Sequence, residues 1–360
     1  LKEAVIVRAC RTAIGKENGM HRETGAAELA APVISRLAGK LAVPIDDIIL
    51  GNVVGPGGNV ARYATLEAGL PLSVPGLTID RQCSAGLDAI RLASALIKAE
   101  AGSCYIAGGT ESASTSPFSE RARFAPETIG DPDMGLAAEH VARKFNISRE
   151  EQDAYALLSH QRSWESDVQG IFKQEIIEGR DEVFSKKREM EKLLKRARPL
   201  FDRENGTVTA ANSCAINDGA AAVLIMEASL ARRYGFTPVL RVVDSTVSGV
   251  HPHFPGAAPI PAIETLLQRN GLTTADIDLF EINEAFASKV TACAKALAIP
   301  YEKINIRGGA LTLGHPYGAS GAVLATRLFY EAKRNAFRYA VAAIGSGGGV
   351  GVAVLFEVIH

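Results

Sequence analysis

Lys303-Ile304-Asn305-Ile306, followed by Gly308-Gly309-Ala310-Leu311-Thr312-Leu313-Gly314-His315-Pro316-Tyr317-Gly318-Ala319-Ser320-Gly321, reads as a buried strand entering a glycine-rich turn and then a helix to about Lys333. The first half of the chain has the same grammar. Leu77-Thr78-Ile79-Asp80 leads into Cys83-Ser84-Ala85-Gly86 and a helix to about Glu100. In both copies an apolar strand and glycines follow: Cys104 to Ala107 with Gly108-Gly109, and Val341 to Ile344 with Gly345 and Gly347-Gly348-Gly349. Self-similarity on this scale implies a duplicated α/β unit.

Working outward, the match extends upstream. A helical stretch Ala27 to Leu41, the turn Pro44-Ile45-Asp46-Asp47 and the apolar run Ile48 to Asn52 correspond to Pro261 to Asn270, Thr274 to Asp278 and Leu279 to Asn283. Downstream the copies diverge. In the second half the closing strand Val350 to Val358 comes at once, whereas the comparable strand Ala220 to Met226 is much delayed. The expected organisation is therefore a first half of residues 1–109 and 218–232, an inserted loop domain 110–217, and a second half 233–360. The insertion carries a polar helical stretch, Glu150 to Val168, and a basic run of Lys186, Lys187, Arg188, Lys192, Lys195, Arg196 and Arg198. That run is either a solvated helix face or a positive rim for a phosphorylated ligand.

Composition narrows the class. Of 360 residues, 47% are hydrophobic and 22% charged, and the formal net charge is −1, which argues against nucleic acid or a membrane surface as partner. Cys10, Cys83, Cys104, Cys214 and Cys293 are scattered, with no spacing that suits a metal, so free thiols in a reducing compartment are expected. No apolar run is long enough to span a bilayer. The start reads as a first strand rather than a secretory leader, and the end lacks a peroxisomal tripeptide, so a cytoplasmic location is expected.

Cys83 and His315 hold corresponding places, each at the start of a helix behind a buried strand. Helix N-termini carry unpaired N–H groups and partial positive charge, so thiolate is expected to be favoured at Cys83. His315 suits the base toward that thiol and a donor to a developing oxyanion. Asn283 either caps the next helix or holds a water toward substrate. Gly345-Ser346-Gly347-Gly348-Gly349-Val350-Gly351 joins two strands and lacks GxGxxG spacing, so it fits an oxyanion hole better than a pyrophosphate cradle.

Together these segments resemble the thiolase family, the acyl-CoA acetyltransferases and 3-ketoacyl-CoA thiolases. The likeness also covers Arg8-Ala9-Cys10-Arg11-Thr12-Ala13-Ile14-Gly15, Gly108 to Ser112, Gly206 to Asn212, Asn217 to Ala221 and Asn283 to Ala287. It implies a five-layer αβαβα fold of two pseudo-symmetric halves, with a loop domain that binds coenzyme A. It implies that Cys83 is acylated and that His315 activates it. Asn283, through a water, and His315 would form one oxyanion hole, and the N–H groups of Cys83 and Gly347 the other. Met134, Phe201, Ala210, Cys214 and Phe286 match positions along the coenzyme A path. No metal or redox cofactor is implied; coenzyme A thioesters are substrates. A homodimer, or a dimer of dimers, is expected.

The chain departs from the family in one place. Thiolases of this type carry a second catalytic cysteine in the final glycine-rich turn, and Gly345 stands there, next to Ser346. A related branch supplies the cysteine just after the catalytic strand, where this chain has Ala285; Cys293 lies farther along. Ser346, a water or nothing is left to move the proton. Three readings follow: a thiolase-type acyltransferase, an enzyme that acylates Cys83 without carbon–carbon chemistry, and a non-catalytic coenzyme A-binding protein.

Overall fold

The computed structural model describes residues 2–116, 122–186 and 189–359. The first half opens with β1 (Ala4–Arg11), β2 (Gly15–Lys16), α1 (Ala26–Ala38), β3 (Asp47–Gly51), α2 (Val60–Glu67), β4 (Leu77–Ile79), α3 (Ala85–Lys98) and β5 (Cys104–Glu111). Helices α4 (Met134–Lys144), α5 (Arg149–Val168) and α6 (Met190–Arg196) intervene before β6 (Asn217–Glu227) and α7 (Ala228–Arg233). The second half holds β7 (Leu240–Gly249), α8 (Pro259–Arg269), β8 (Leu279–Ile282), α9 (Ala287–Ala296), α10 (Ala310–Leu313), α11 (Tyr317–Arg334), β9 (Tyr339–Ser346) and β10 (Val350–Val358).

The strands run in the order β4-β3-β5-β6-β1-β7-β10-β9-β8. Read outward from the β1–β7 seam, where Val5 faces Arg241 and Ile6 faces Leu240, β1-β6-β5-β3 matches β7-β10-β9-β8, and β4 is added at the edge of the first half. Strand alternation builds the layers, because successive side chains point to opposite faces. On β6, Ala221, Val223 and Ile225 face the central layer of α3 and α11, while Ala220, Ala222, Leu224 and Met226 face α1 and α2. On β9, Ala340, Ala342 and Ile344 face the central layer, while Val341 and Ala343 face α8 and α9. The result is five layers, α–β–α–β–α. Burial of Leu87, Ile90 and Ile97 on α3, each fully inaccessible, stabilises the central layer by about 1.5–3 kcal/mol per side chain.

Small residues bring the central helices together. A Cβ on Gly86 would lie 2.5 Å from the Gly318 carbonyl oxygen, and one on Gly321 would lie 2.4 Å from the Leu87 nitrogen. Gly108 and Gly109, expected after a strand, are inside β5. A Cβ on Gly109 would lie 1.8 Å from the Gly318 oxygen, so the glycine serves close approach of α11 rather than a turn.

The expected strand Lys303 to Ile306 is not one. Ile304 makes a single bridge to Phe280, and Asn305 turns to φ +46°. The Asn305 side chain replaces the ladder: its Oδ1 accepts from Ile282 N at 2.8 Å and its Nδ2 donates to Ile282 O at 2.8 Å.

A buried ionic cluster ties β1 to α11 and to the chain after α5. Arg11 Nε donates to Glu175 at 2.9 Å and its terminal nitrogens to Asp181 at 2.7 and 2.9 Å, while Arg327 Nε donates to Glu175 at 2.5 Å. Burial opposes ionisation of Glu175, but Arg327 and Arg11 outweigh it and hold the carboxyl below its usual range.

Candidate active site

Gln82, at φ +51°, turns the chain from β4 into α3 and leaves Cys83 half-buried just before the helix. The helix start is anchored by β9: Ser84 N donates to Ser346 Oγ at 2.9 Å, and Ser84 Oγ donates to the Ile344 carbonyl at 3.2 Å. The Ser346 hydroxyl is thus committed to the α3 terminus. His315 stands at the matching start of α11. Gly86 and Gly318, each three residues further along, are the close contact between the helices, so the two helix starts lie side by side.

Hydrogen bonding selects the His315 tautomer. Ser320 Oγ donates to the Pro316 carbonyl at 2.9 Å and lies 2.6 Å from His315 Nδ1. With its only proton used, Ser320 accepts, so Nδ1 carries the ring proton and Nε2 presents a lone pair. Asn283 Nδ2 stands 3.4 Å from that Nε2. Asn283 does not cap α9, whose N-cap is Phe286; it continues the β8 pairing by donating its backbone N–H to Ala343 O at 3.0 Å. The Tyr317 ring packs edge-on against the imidazole at 5.0 Å.

The charge state differs from the expectation of a favoured thiolate. Burial pushes the Cys83 thiol up to about 11, with the Lys289 ammonium opposing the rise. Burial, then the Lys289 charge, pushes His315 down to about 3. At rest, burial favours the thiol at Cys83 and the neutral imidazole at His315.

Two buried glutamates hold the surrounding loops. Glu111 accepts from the backbone of Val53, Val54 and Gly318 at 3.0–3.1 Å and fixes the first turn of α11. Glu284, next to Asn283, accepts from Tyr155 and Ser159 of α5 at 2.7 Å each and from Asn305 Nδ2 at 2.9 Å.

Several residues of the expected coenzyme A path converge. Phe201 and Phe286 rings meet edge to face at 6.2 Å, and a Cβ on Gly135, beside Met134 at the start of α4, would lie 2.2 Å from the Phe201 ring. Cys214 N donates to the Ala285 carbonyl at 3.0 Å, and burial, then the neighbouring Cys83, pushes its thiol pKa up. Ala210 is exposed. The Phe124 ring covers Gly347, 2.7 Å from where a Cβ would stand. Cys293 is fully buried, its sulfur 3.7 Å from the Gly256 carbonyl oxygen. Of the basic run, Lys187 and Arg188 lie outside the described residues, and Lys186, Lys192, Lys195, Arg196 and Arg198 are exposed.

Two residues escaped the reading of the sequence. Ser320 lies four residues after Pro316, the spacing of a side chain bonding back into its own helix, which was the available signal. Lys289 lies on α9 among apolar neighbours, is 3% exposed, and donates to the Gly345 carbonyl at 2.6 Å. A lysine within an apolar helical stretch was its signal. Among the described residues, no helix is long and apolar enough to cross a membrane.

Comparison with known proteins bears on the fold and the family. The thiolase N-terminal domain family model matches residues 4–229, and the thiolase C-terminal domain model matches residues 236–358. A Bacillus subtilis (strain 168) protein named "Putative acetyl-CoA C-acetyltransferase YhfS" is 59% identical over 99% of both chains. The Staphylococcus aureus (strain MSSA476) "Putative acetyl-CoA C-acetyltransferase VraB" is 45% identical over 99% of both. The crystal structure of the Bacillus anthracis acetyl-CoA acetyltransferase superposes with a TM-score of 0.92 at 33% identity, covering 100% of this chain and 99% of that one. With duplicated halves, paired helix starts and both domain models matched in order, the chain belongs to the thiolase family.

Proposed function

We propose that the protein is a thiolase-type acyl-CoA acyltransferase that works through an acyl-Cys83 intermediate, as an acetyl-CoA C-acetyltransferase in condensation or a 3-ketoacyl-CoA thiolase in cleavage. The observation that carries this reading is His315: a buried neutral imidazole at the helix start beside that of Cys83, with Nδ1 held by Ser320 at 2.6 Å and Nε2, 3.4 Å from Asn283 Nδ2, as the basic nitrogen. The Cys83 proton passes to Nε2 as sulfur attacks the thioester or ketone carbonyl. The resulting imidazolium then donates to oxygen or to the leaving thiol. An Asn283-held water and His315 serve one developing oxyanion, and the N–H groups of Cys83 and Gly347 serve the other.

In this reading residues 110–217 form the coenzyme A-binding domain. Met134, Phe201, Ala210, Cys214 and Phe286 border the pantetheine and adenine path, and the reaction needs no metal or redox cofactor. A homodimer in the cytoplasm is part of the same proposal.

The test is thiolysis of acetoacetyl-CoA and of a longer 3-ketoacyl-CoA, with Cys83→Ala alongside and intact mass to detect the acyl-enzyme. Turnover lost in the variant supports the reading, and no acyl adduct on Cys83 with any acyl-CoA rejects it. Gly345, in the place of the family's second cysteine, favours a second reading in which Cys83 is acylated and passes its acyl group to water or another thiol. Thiolysis by the unmodified protein would exclude that reading.

A further inference from the structure

Lys289 has no part in the chemistry above, yet its environment is costly. An ammonium removed from water is destabilised by several kcal/mol unless paired. Among the described residues no ion pair with a carboxylate is formed by Lys289, and its side-chain hydrogen bond goes to the Gly345 carbonyl at 2.6 Å. Burial pushes its pKa down, and the titratable thiols near enough to couple to it are those of Cys83, Cys293 and Cys214. Cys83 and His315 both feel its charge.

On the family resemblance, the backbone position that Lys289 grips corresponds to the one from which thiolases extend their second cysteine. Here that direction is closed, since a Cβ on Gly345 would lie 2.4 Å from the Pro255 carbonyl oxygen and 2.8 Å from Pro259 Cδ. Ser346 is already bonded to the start of α3. Lys289, on α9, packs its stem beside Gly256 and brings its Nζ to the Gly345 carbonyl.

We propose that Lys289 is the acid/base that acts on the α-carbon of the second acyl-CoA, in the place of the cysteine this chain lacks. The inference rests on the acyl-Cys83 reading. In condensation Lys289 first gives a proton to solvent, and the resulting amine, one N–H on Gly345 O, takes a proton from the α-carbon of acetyl-CoA. The C–H electron pair becomes the enolate, whose carbon bonds to the acyl carbonyl on Cys83. The C–S bond breaks with its electrons on Sγ, and the proton held by Lys289 restores the thiol. In thiolysis the order reverses, and the Lys289 ammonium protonates the departing acetyl-CoA carbanion.

The test separates acylation from carbon-acid chemistry. Wild-type protein, Lys289→Met and Lys289→Arg are compared for acetylation of Cys83 by acetyl-CoA (intact mass), for exchange of the acetyl protons of acetyl-CoA with D2O, and for thiolysis of acetoacetyl-CoA. Arginine keeps the positive charge and a donor to Gly345 but cannot act as a base. The expected result is that both variants still acetylate Cys83 while exchange and thiolysis fall by about 10²–10⁴-fold. Exchange and thiolysis at the wild-type rate in a variant that acetylates normally would give Lys289 a structural role and overturn the proposal. Should Lys289→Met fail to fold, Lys289→Arg decides. Wild-type protein that acetylates Cys83 but shows neither exchange nor thiolysis overturns the Lys289 proposal alone; absence of the acetyl adduct takes down the Cys83 reading with it.

Discussion

Ser320 Oγ lies 2.6 Å from His315 Nδ1 and donates its own proton to the Pro316 carbonyl, so one hydroxyl dictates which imidazole nitrogen is basic. Ser320→Ala removes the acceptor for a buried N–H, a loss of about 1–3 kcal/mol. It also frees the ring to adopt the other tautomer. Single-turnover acylation of Cys83, followed by quenched intact mass, is expected to slow by about ten- to a hundredfold. An unchanged rate in a folded variant would refute the role given to Ser320.

Acylation should be insensitive to pH where an ordinary histidine would matter. A free imidazole loses its basic lone pair as pH falls through about 6.5. His315 is pushed down to about 3 and Cys83 up to about 11, so neither changes state across the neutral range. The second-order rate of Cys83 acylation is expected to be level from about pH 5 to about pH 9. A limb with a midpoint near that of free histidine would show that substrate-free burial does not set the reactive state.

Glu175 should dominate an acid-sensitive part of stability. Its folded pKa is depressed by Arg327 and Arg11 against the effect of burial, so its stabilisation is complete above the unfolded value, about 4.3. That stabilisation is lost as pH falls through the lower folded value. Glu175→Ala leaves the Arg327 guanidinium buried without its ion-pair partner and should cost about 3–5 kcal/mol at pH 7. Denaturant titrations at neutral and acid pH would show the loss, together with a shallower acid limb in the variant.

A cysteine placed at Gly345, the position proposed to match the family's second cysteine, should not create a second catalytic thiol. Gly345→Cys drives Cβ into the Pro255 carbonyl and Pro259 ring, an overpacking expected to cost about 1–3 kcal/mol. A lower Tm with no gain in thiolysis is the expected outcome. A variant that is both more active and as stable would mean that the Pro255 segment yields readily.

The duplication was legible because strand, glycine turn and helix leave strong local punctuation twice over. The same repeat lifted Cys83 and His315 above ordinary buried residues. It misled at Lys303 to Ile306, where a left-handed Asn305 substitutes its amide for a backbone ladder. It left open whether Asn283 caps a helix, which depended on where α9 begins.

By itself the sequence determined the pseudo-symmetric α/β order, the delay before the closing strand of the first half, and the two helix starts that bear Cys83 and His315, since these follow from periodicity and turn chemistry within a few residues. Only the tertiary structure decided the His315 tautomer, the neutral thiol–imidazole pair, the closed space at Gly345 and the approach of Lys289. Those features depend on desolvation and on contacts between segments remote in the chain, such as Lys289 with Gly345 and Ser84 with Ser346, which no local pattern encodes.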